Sequence, residues 1–338
     1  MKLISRREFL GISTKASAAT FFAGTFAPTA TSFFGLAGVA EAATRKVSPF
    51  NFAIISDAHL YNIKDHKFDH ILERAVKDVN AMSPRPDFVI FGGDLAQTGM
   101  KEELVKGKRI LDNLKMPLKI IPGEHDWYLD MGKTWGSMFG RVPWSFNHKG
   151  VHFIGMNSIL IKDFWTAKEL TPDERMDWVT ELECHRCGLW GVREEQLDWL
   201  TKDVKNLSPD TPVVIFTHSP LWDYYPRWNF QTEDAPEIHA ILRKFDKVVA
   251  IHGHVHQVVY NNIGNISSAG LLSTSWPWPY PPVSLPYPDI KMNRVDPADI
   301  YDGLGPEQVA MGDDFAGMMN YRAWSDLLPD NVKRGLPL

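Results

Sequence analysis

Cysteine is nearly absent from this chain: 338 residues contain two. Cys184 and Cys187 form a C-x-x-C pair followed by Gly188, not histidine, which excludes the C-x-x-C-H haem attachment motif. One pair cannot fill a zinc site alone, so it reads as a local disulfide or two structural thiols. An excess of basic charge is also lacking. Lys plus Arg number 36 against 41 Asp plus Glu, a formal net charge of −5 with no long basic run, so nucleic-acid binding is not implied. A long apolar run is missing too. The nearest candidate lies within residues 1–42 and is interrupted by Pro28 and several threonines, which makes a poor spanning helix. Composition is otherwise ordinary, 44% hydrophobic and 23% charged, with length for one large domain or two small ones.

The N-terminus reads as a targeting segment. Arg6-Arg7 precede Phe9-Leu10, a weakly apolar stretch follows, and Ala40-Glu41-Ala42 resembles a small-residue cleavage site. The arginine pair resembles the twin-arginine export signal of bacteria. This implies the twin-arginine machinery as a partner and a periplasmic or otherwise exported mature protein with no stable membrane span. Such export carries folded proteins, often already loaded with metal.

From residue 50 the chain alternates short Val/Ile-rich runs with helix-period segments. The runs are 52–55, 88–91, 118–121, 151–156, 213–216 and 248–251, and they read as buried strands. Phe68, Ile71, Leu72, Ala75, Val76 and Val79 follow the i, i+3, i+4 rule of an amphipathic helix. So do Leu197, Leu200, Val204 and Leu207, and Ile238, Ile241, Leu242 and Phe245. The alternation predicts an α/β architecture with covered sheets.

Chemistry-bearing residues follow the strands. Asp57 and His59 come after the first, Gly93-Asp94 after the second and Gly123-Glu124-His125-Asp126 after the third. His218 and the triplet His252, His254 and His256 follow two later ones. The carboxyl edge is where open α/β sheets place ligand sites. In extended backbone the i, i+2 pairs Asp57/His59 and His254/His256 would project to one side. Mixed imidazole and carboxylate donors suit Zn, Fe or Mn. Asp57, His59, Asp94, Glu124, His218, His254 and His256 are too many for one tetrahedral ion. They suit two ions about 3.5–4 Å apart sharing one carboxylate.

These motifs, D-x-H, G-D, G-E-H-D, H and G-H-x-H in this order, resemble the signature of the calcineurin-like metallophosphoesterases over residues 50 to about 275. "SDAHL", "GGDLAQTG", "PGEHD" and "GHVHQ" look similar to the bacterial cyclic-nucleotide phosphodiesterase-like branch. The resemblance implies two packed β-sheets flanked by helices, a four-layer sandwich. It implies two divalent or mixed-valence transition-metal ions, Fe, Mn or Zn. Asp57, His59 and His256 would hold the first, Glu124, His218 and His254 the second, and Asp94 would bridge. His125 would act as general acid, with Asp126 orienting its ring. A metal-bridged hydroxide would attack a phosphodiester substrate. A broad phosphomonoesterase is the rival enzyme. A non-catalytic scaffold that binds a protein partner is the rival of another class, and retention of Asp94 and His125 argues against it.

Two departures stand out. Glu124 occupies the slot where the family carries asparagine, and an added negative charge should tighten the second metal while weakening it as a Lewis acid. Gln97 stands where the purple acid phosphatase branch carries a ligating tyrosine, which disfavours that reading. The domain expectation is a signal peptide at 1–42, a catalytic domain at 43–275 with a Trp-rich insertion at about 158–191, and a proline-rich extension at 276–338. The extension is compatible with a cap, an ordered tail or a homo-oligomer contact. Trp127, Tyr128, Trp222, Tyr224, Tyr225 and Trp228 crowd the loops near the site and read mainly as loop packing.

Overall fold

The sandwich is built around two sheets whose central strands bury both faces. In the computed structural model the described residues are 47–161, 170–180, 189–224, 230–277, 301, 303–312, 318–321 and 324. The chain runs β1 (Phe50–Ile55), α1 (Lys67–Ala81), β2 (Val89–Phe91), α2 (Lys101–Leu111), β3 (Leu118–Ile120), α3 (Glu124–Trp127) and α4 (Lys133–Phe139). Then come β4 (Trp144–His148), β5 (Val151–Gly155), β6 (Leu160–Ile161), α5 (Pro172–Val179), β7 (Trp190–Gly191) and α6 (Arg193–Val204). It closes with β8 (Val213–Thr217), α7 (Ala235–Leu242), β9 (Val248–His252), β10 (Tyr260–Ile263), β11 (Ile266–Gly270), β12 (Glu307–Met311) and β13 (Met318–Tyr321).

One sheet has the order β13-β12-β1-β2-β3 and the other β10-β11-β9-β8-β5-β4. The strands that precede the candidate ligands are parallel to their neighbours, β1 to β2, β2 to β3 and β8 to β9. All therefore end on the same edge of their sheets.

Side-chain alternation along the strands assigns the layers. Phe50, Phe52 and Ile54 of β1 face Phe153, Val214, Phe216 and Ile251 of the second sheet, forming the inner core. Ala53 and Ile55 point the other way, onto Phe68, Ile71, Leu72 and Val76 of α1 and Leu104 of α2. Val213 and Ile215 of β8 likewise turn outward, onto Leu200 of α6 and Ile238 of α7. The order is helices, sheet, sheet, helices. Solid inner packing keeps the strand ends fixed, as a site built on them requires.

Helix α1 shows how local sequence sets an element. The His66 side chain accepts from the Phe68 N–H, and the Asp69 carboxylate accepts from the His66 N–H at 3.2 Å, a reciprocal cap. Helix α5 lies in the insertion that lacks clear period. Its start is written as Thr171-Pro172-Asp173-Glu174, a capping box with proline in the first turn.

Three expectations change. The strand at 118–120 is only partly buried: Ile120 is buried, Leu118 half-buried and Lys119 exposed, because β3 lies at a sheet edge. Residues 307–311 and 318–321, expected within a proline-rich extension, are strands of the first sheet, with β12 antiparallel to β1. The insertion contributes α5 and the small β6-β7 pair, and Tyr128 packs there with Met176, Val179 and Trp190. Cys184, Cys187, Tyr225, Trp228, residues 1–46 and most of 278–338 lie outside the described residues. Among the described residues no helix is long and apolar enough to cross a membrane.

Candidate metal centre

Every candidate ligand sits just beyond a strand, Glu124 as the first residue of α3, and at five of the seven the backbone is left-handed. Asp57, His59, Asp94, His254 and His256 adopt positive φ of 55°, 47°, 54°, 63° and 48°. Left-handed backbone costs an L-residue about 1–2 kcal/mol, and five such residues in one place mark a functional cluster. The extended-backbone basis of the i, i+2 argument is thereby corrected, although Asp57 and His59 do share one group of donors. His254 and His256 do not share a side; they belong to different groups of donors.

Hydrogen bonds impose this conformation. Asp57 N–H donates to Gly93 O at 3.0 Å and His59 N–H to Asp94 O at 3.0 Å. The Asp57 carbonyl accepts from Ser273 Oγ at 2.9 Å and Ser275 Oγ at 2.7 Å. His254 N–H donates to Asp57 Oδ1 at 2.9 Å. Glycine is required where loops cross: a β-carbon at Gly123 would overlap the Asp94 carboxylate, and one at Gly93, where φ is +108°, would strike the His218 ring.

All seven candidate ligands, with His125 and Asp126, are buried. Two groups of donor atoms result, each within 4.8 Å: Asp57, His59 and His256 in one; Asp94, Glu124, His218 and His254 in the other. Asp94 Oδ2 lies between them, 3.1 Å from His218 Nε2 and 3.5 Å from His59 Nε2. Asp94 also groups with His59 and His125.

Protonation decides what these atoms want. His256 Nδ1 faces the Trp276 carbonyl at 2.7 Å, and His218 Nδ1 faces the Gly92 carbonyl at 2.8 Å. A carbonyl only accepts, so each Nδ1 carries the proton and each Nε2 presents a lone pair. His59 Nδ1 is held the same way by Gln97 Oε1 at 3.0 Å. The lone pairs face further acceptors. His59 Nε2 and His256 Nε2 are 3.1 Å apart, with Asp57 Oδ1 3.2 Å from the latter. His218 Nε2 is 3.0 Å from Glu124 Oε2, and both atoms are buried without a hydrogen-bond partner. Acceptors aimed at acceptors in a dry interior need cations between them. The donor set, four imidazoles and three carboxylates, is that of first-row transition metals.

Without cations only proton trading relieves the cluster. Burial and the neighbouring Glu124 carboxylate push Asp94 well above the usual carboxylate range. Burial would pull His218 down, but Asp94 and Glu124 push it well up. Burial would raise Glu124, but His254 and His218 hold it well below its ordinary value. Burial, with His125 and His256 nearby, holds His59 well down.

Asp126 requires a correction. Its Oδ1 accepts from the Ala96 N–H at 2.8 Å and its Oδ2 from the Gly123 N–H at 3.1 Å. The His125 ring is oriented by the Gln97 carbonyl, 2.6 Å from Nδ1. The carboxylate points back beneath its own turn, so it ties the Asp94 and Glu124 loops together and does not reach the ring. Burial, opposed by those backbone N–H groups, raises it to about 6.

Sequence reading missed several supports. Thr274 N–H donates to Ser56 O at 3.0 Å, and with Ser273 and Ser275 it straps the Asp57 turn. Trp276 packs on His59 and His256, with ring centroids 4.3 and 5.0 Å away. Trp190 and Phe230 wall His254 at 4.8 and 5.1 Å. The first tryptophan of the proline-rich stretch was the only local hint. Tyr128 is fully buried and donates to the Ile159 carbonyl, so it packs the loop.

Residues 50–258 match the family model described as calcineurin-like phosphoesterase. The chain belongs to that family. It is a metal-dependent phosphoric ester hydrolase. Among curated relatives it is 29% identical over 217 residues, 60% of this chain and 71% of the relative, to a probable glycerophosphodiester phosphodiesterase GpdQ of Arcobacter nitrofigilis. It is 23% identical over 236 residues, 68% of this chain and 79% of the relative, to a 3′,5′-cyclic-nucleotide phosphodiesterase of Nostoc sp.. Its fold resembles a purple acid phosphatase from yellow lupin, TM-score 0.55 at 13% identity, covering 82% of this chain and 52% of that one. It also resembles a dimetal phosphatase from Danio rerio, TM-score 0.53 at 14% identity, covering 80% and 99%. These two likenesses show the architecture alone, two large packed sheets flanked by helices.

Proposed function

We propose that this chain is an exported phosphodiesterase with a dinuclear metal centre. Asp57, His59 and His256 would hold one ion, Glu124, His218 and His254 the other, and the Asp94 carboxylate would serve both. The observation that carries this is the donor-atom geometry: imidazole Nε2 atoms and carboxylate oxygens converge on one another in a buried cluster, with His218 Nε2 and Glu124 Oε2 left without a hydrogen-bond partner. Bound there, two divalent or mixed-valence ions would lower the pKa of a water and neutralise charge on the phosphoryl oxygens.

The protein's own residues do the rest. His125 is the most exposed of the cluster at 9%, so substrate reaches it first. Its Nδ1–H is anchored on the Gln97 carbonyl, which leaves Nε2 to deliver a proton to the departing oxygen. Burial lowers its pKa against the opposing pull of Glu124 and that carbonyl, which makes the protonated ring a stronger acid. The buried walls exclude bulk water from the centre.

A diester is favoured over a monoester by charge as well as by relatives named as diesterases. Three carboxylates against two divalent ions leave about +1 at the site, where a neutral amide in place of Glu124 would leave about +2. A singly charged diester loses less attraction from that change than a doubly charged monoester. Export rests on Arg6-Arg7 and the apolar stretch after it, and the N-terminal sequence of the protein recovered from the periplasm tests it.

The central test is metal analysis of the purified protein, with hydrolysis of bis(p-nitrophenyl) phosphate and p-nitrophenyl phosphate. The expected result is two ions per chain and preference for the diester, with Asp94→Ala losing metal and turnover together. An Asp94→Ala protein with full metal content and normal turnover overturns the dinuclear reading. A monoester preference overturns the diesterase reading.

A further inference from the structure

We infer that Gln97 is a positioning residue that aims two imidazoles at once, His59 through its side chain and His125 through its main-chain carbonyl. This rests on the reading above, in which His59 is a metal ligand and His125 the proton donor.

Gln97 stands where three ligand turns cross. Its N–H donates to the Leu60 carbonyl at 2.9 Å, and Leu60 and Ala96 form a parallel bridge, so the turns after β1 and β2 are paired beyond their strands. From that fixed backbone the carbonyl meets His125 Nδ1 at 2.6 Å and the side-chain Oε1 meets His59 Nδ1 at 3.0 Å. The two rings stand edge to face, centroids 4.6 Å apart. Each Nδ1 is thereby kept protonated and each Nε2 is left facing the centre. The consequence is sharpest for His59. Its alternative tautomer would put a proton on Nε2, 3.1 Å from His256 Nε2, and would remove one donor from the first ion. A side chain committed to His59 in this way acts as support and not as a ligand in its own right.

The two contacts are separable, because only one involves the side chain. Gln97→Leu removes the acceptor for His59 and keeps the carbonyl for His125. Gln97→Glu replaces the acceptor with a carboxylate, which strengthens His59 as a donor. The experiment titrates the metal-free full-length protein with Mn(II) alone, by calorimetry with chelator competition, for wild type, both variants and His59→Ala. Turnover at saturating Mn(II) is then measured on aryl phosphodiesters of graded leaving-group acidity.

Gln97→Leu is expected to weaken the affected Mn(II) site about 10- to 100-fold, the usual effect of losing a support to a metal-bound histidine. Its dependence on leaving group should be unchanged. Gln97→Glu is expected to match or tighten wild-type affinity and to lower turnover at saturating metal. Both variants weakening the site equally, or neither shifting it, overturns the assignment. So does a Gln97→Leu enzyme that loses its leaving-group dependence, since the side chain would then hold the whole loop. His59→Ala separates the two levels: if it leaves Mn(II) affinity intact, the ligand reading itself has failed. If it abolishes the site while Gln97→Leu does nothing, only the positioning role has.

Discussion

Replacing Glu124 by asparagine tests the feature that most distinguishes this centre. Glu124 reaches both neighbours, Oε1 at 3.0 Å from His254 Nδ1 and Oε2 at 3.0 Å from His218 Nε2. The amide keeps an oxygen and removes one charge. Charge-assisted contacts contribute about 1.5–3 kcal/mol and neutral ones about 0.5–1.5, which sets a floor near 1 kcal/mol for the difference. Breaking a buried charge pair outright costs about 3–5 kcal/mol, so about 3 kcal/mol is a ceiling for a change that keeps the acceptor. At 1.4 kcal/mol per tenfold this is about 5- to 150-fold in affinity at the second site. One effect opposes the loss. After burial, Glu124 is the largest influence pushing Asp94 up, with Asp126 adding to it, so removing the Glu124 charge lets Asp94 ionise more readily and releases fewer protons on binding. The net loss should therefore be nearer the floor, about tenfold, and should come with reduced proton release. The assay is calorimetric titration of the metal-free protein with Mn(II) in two buffers of different ionisation enthalpy. Glu124→Gln, one methylene longer, separates reach from charge. Turnover at saturating metal should hold or rise, because the less neutralised ion polarises phosphate more strongly. Unchanged second-site affinity in both variants would falsify the assignment of Glu124 as a ligand.

His125→Ala should keep its metal and lose about 10²–10⁴-fold in kcat on diesters with poor leaving groups, with a smaller loss on good ones. Equal losses across the series would argue against His125 as the general acid, and loss of metal would make it a ligand alongside His59 and Asp94. Asp126→Ala should leave the Ala96 and Gly123 N–H groups unpaired, at about 1–3 kcal/mol each, which lowers Tm and metal affinity. Leaving-group dependence should survive, because the Gln97 carbonyl still holds the His125 ring. Its disappearance would restore the orienting role that the geometry denies to Asp126.

What the sequence determined by itself was local physics and residue type. Short Val/Ile-rich runs marked β1, β8 and β9, and a 3.6-residue period marked α1, α6 and α7, because burial on a helix repeats with its backbone. The order of donors after strands named the residues of the centre, because parallel strands must end on a common edge. The Thr171-Pro172-Asp173-Glu174 cap of α5 went unread, because no apolar period followed it. Tertiary structure decided the contacts. His59 meets His256 across 197 residues; family resemblance, and no local pattern, had placed His254 and His256 in different donor groups. Left-handed backbone at five donors is imposed by contacts from elsewhere, including hydroxyls 216 and 218 residues from Asp57. Gln97 became a shared support and Asp126 a loop tie because of where the turns cross, although Asp126 adjoins His125 in the chain. Residues 307–311 could join the first sheet only when β1 presented an open edge. Pairing of that kind is a property of two distant segments together, and neither segment states it alone.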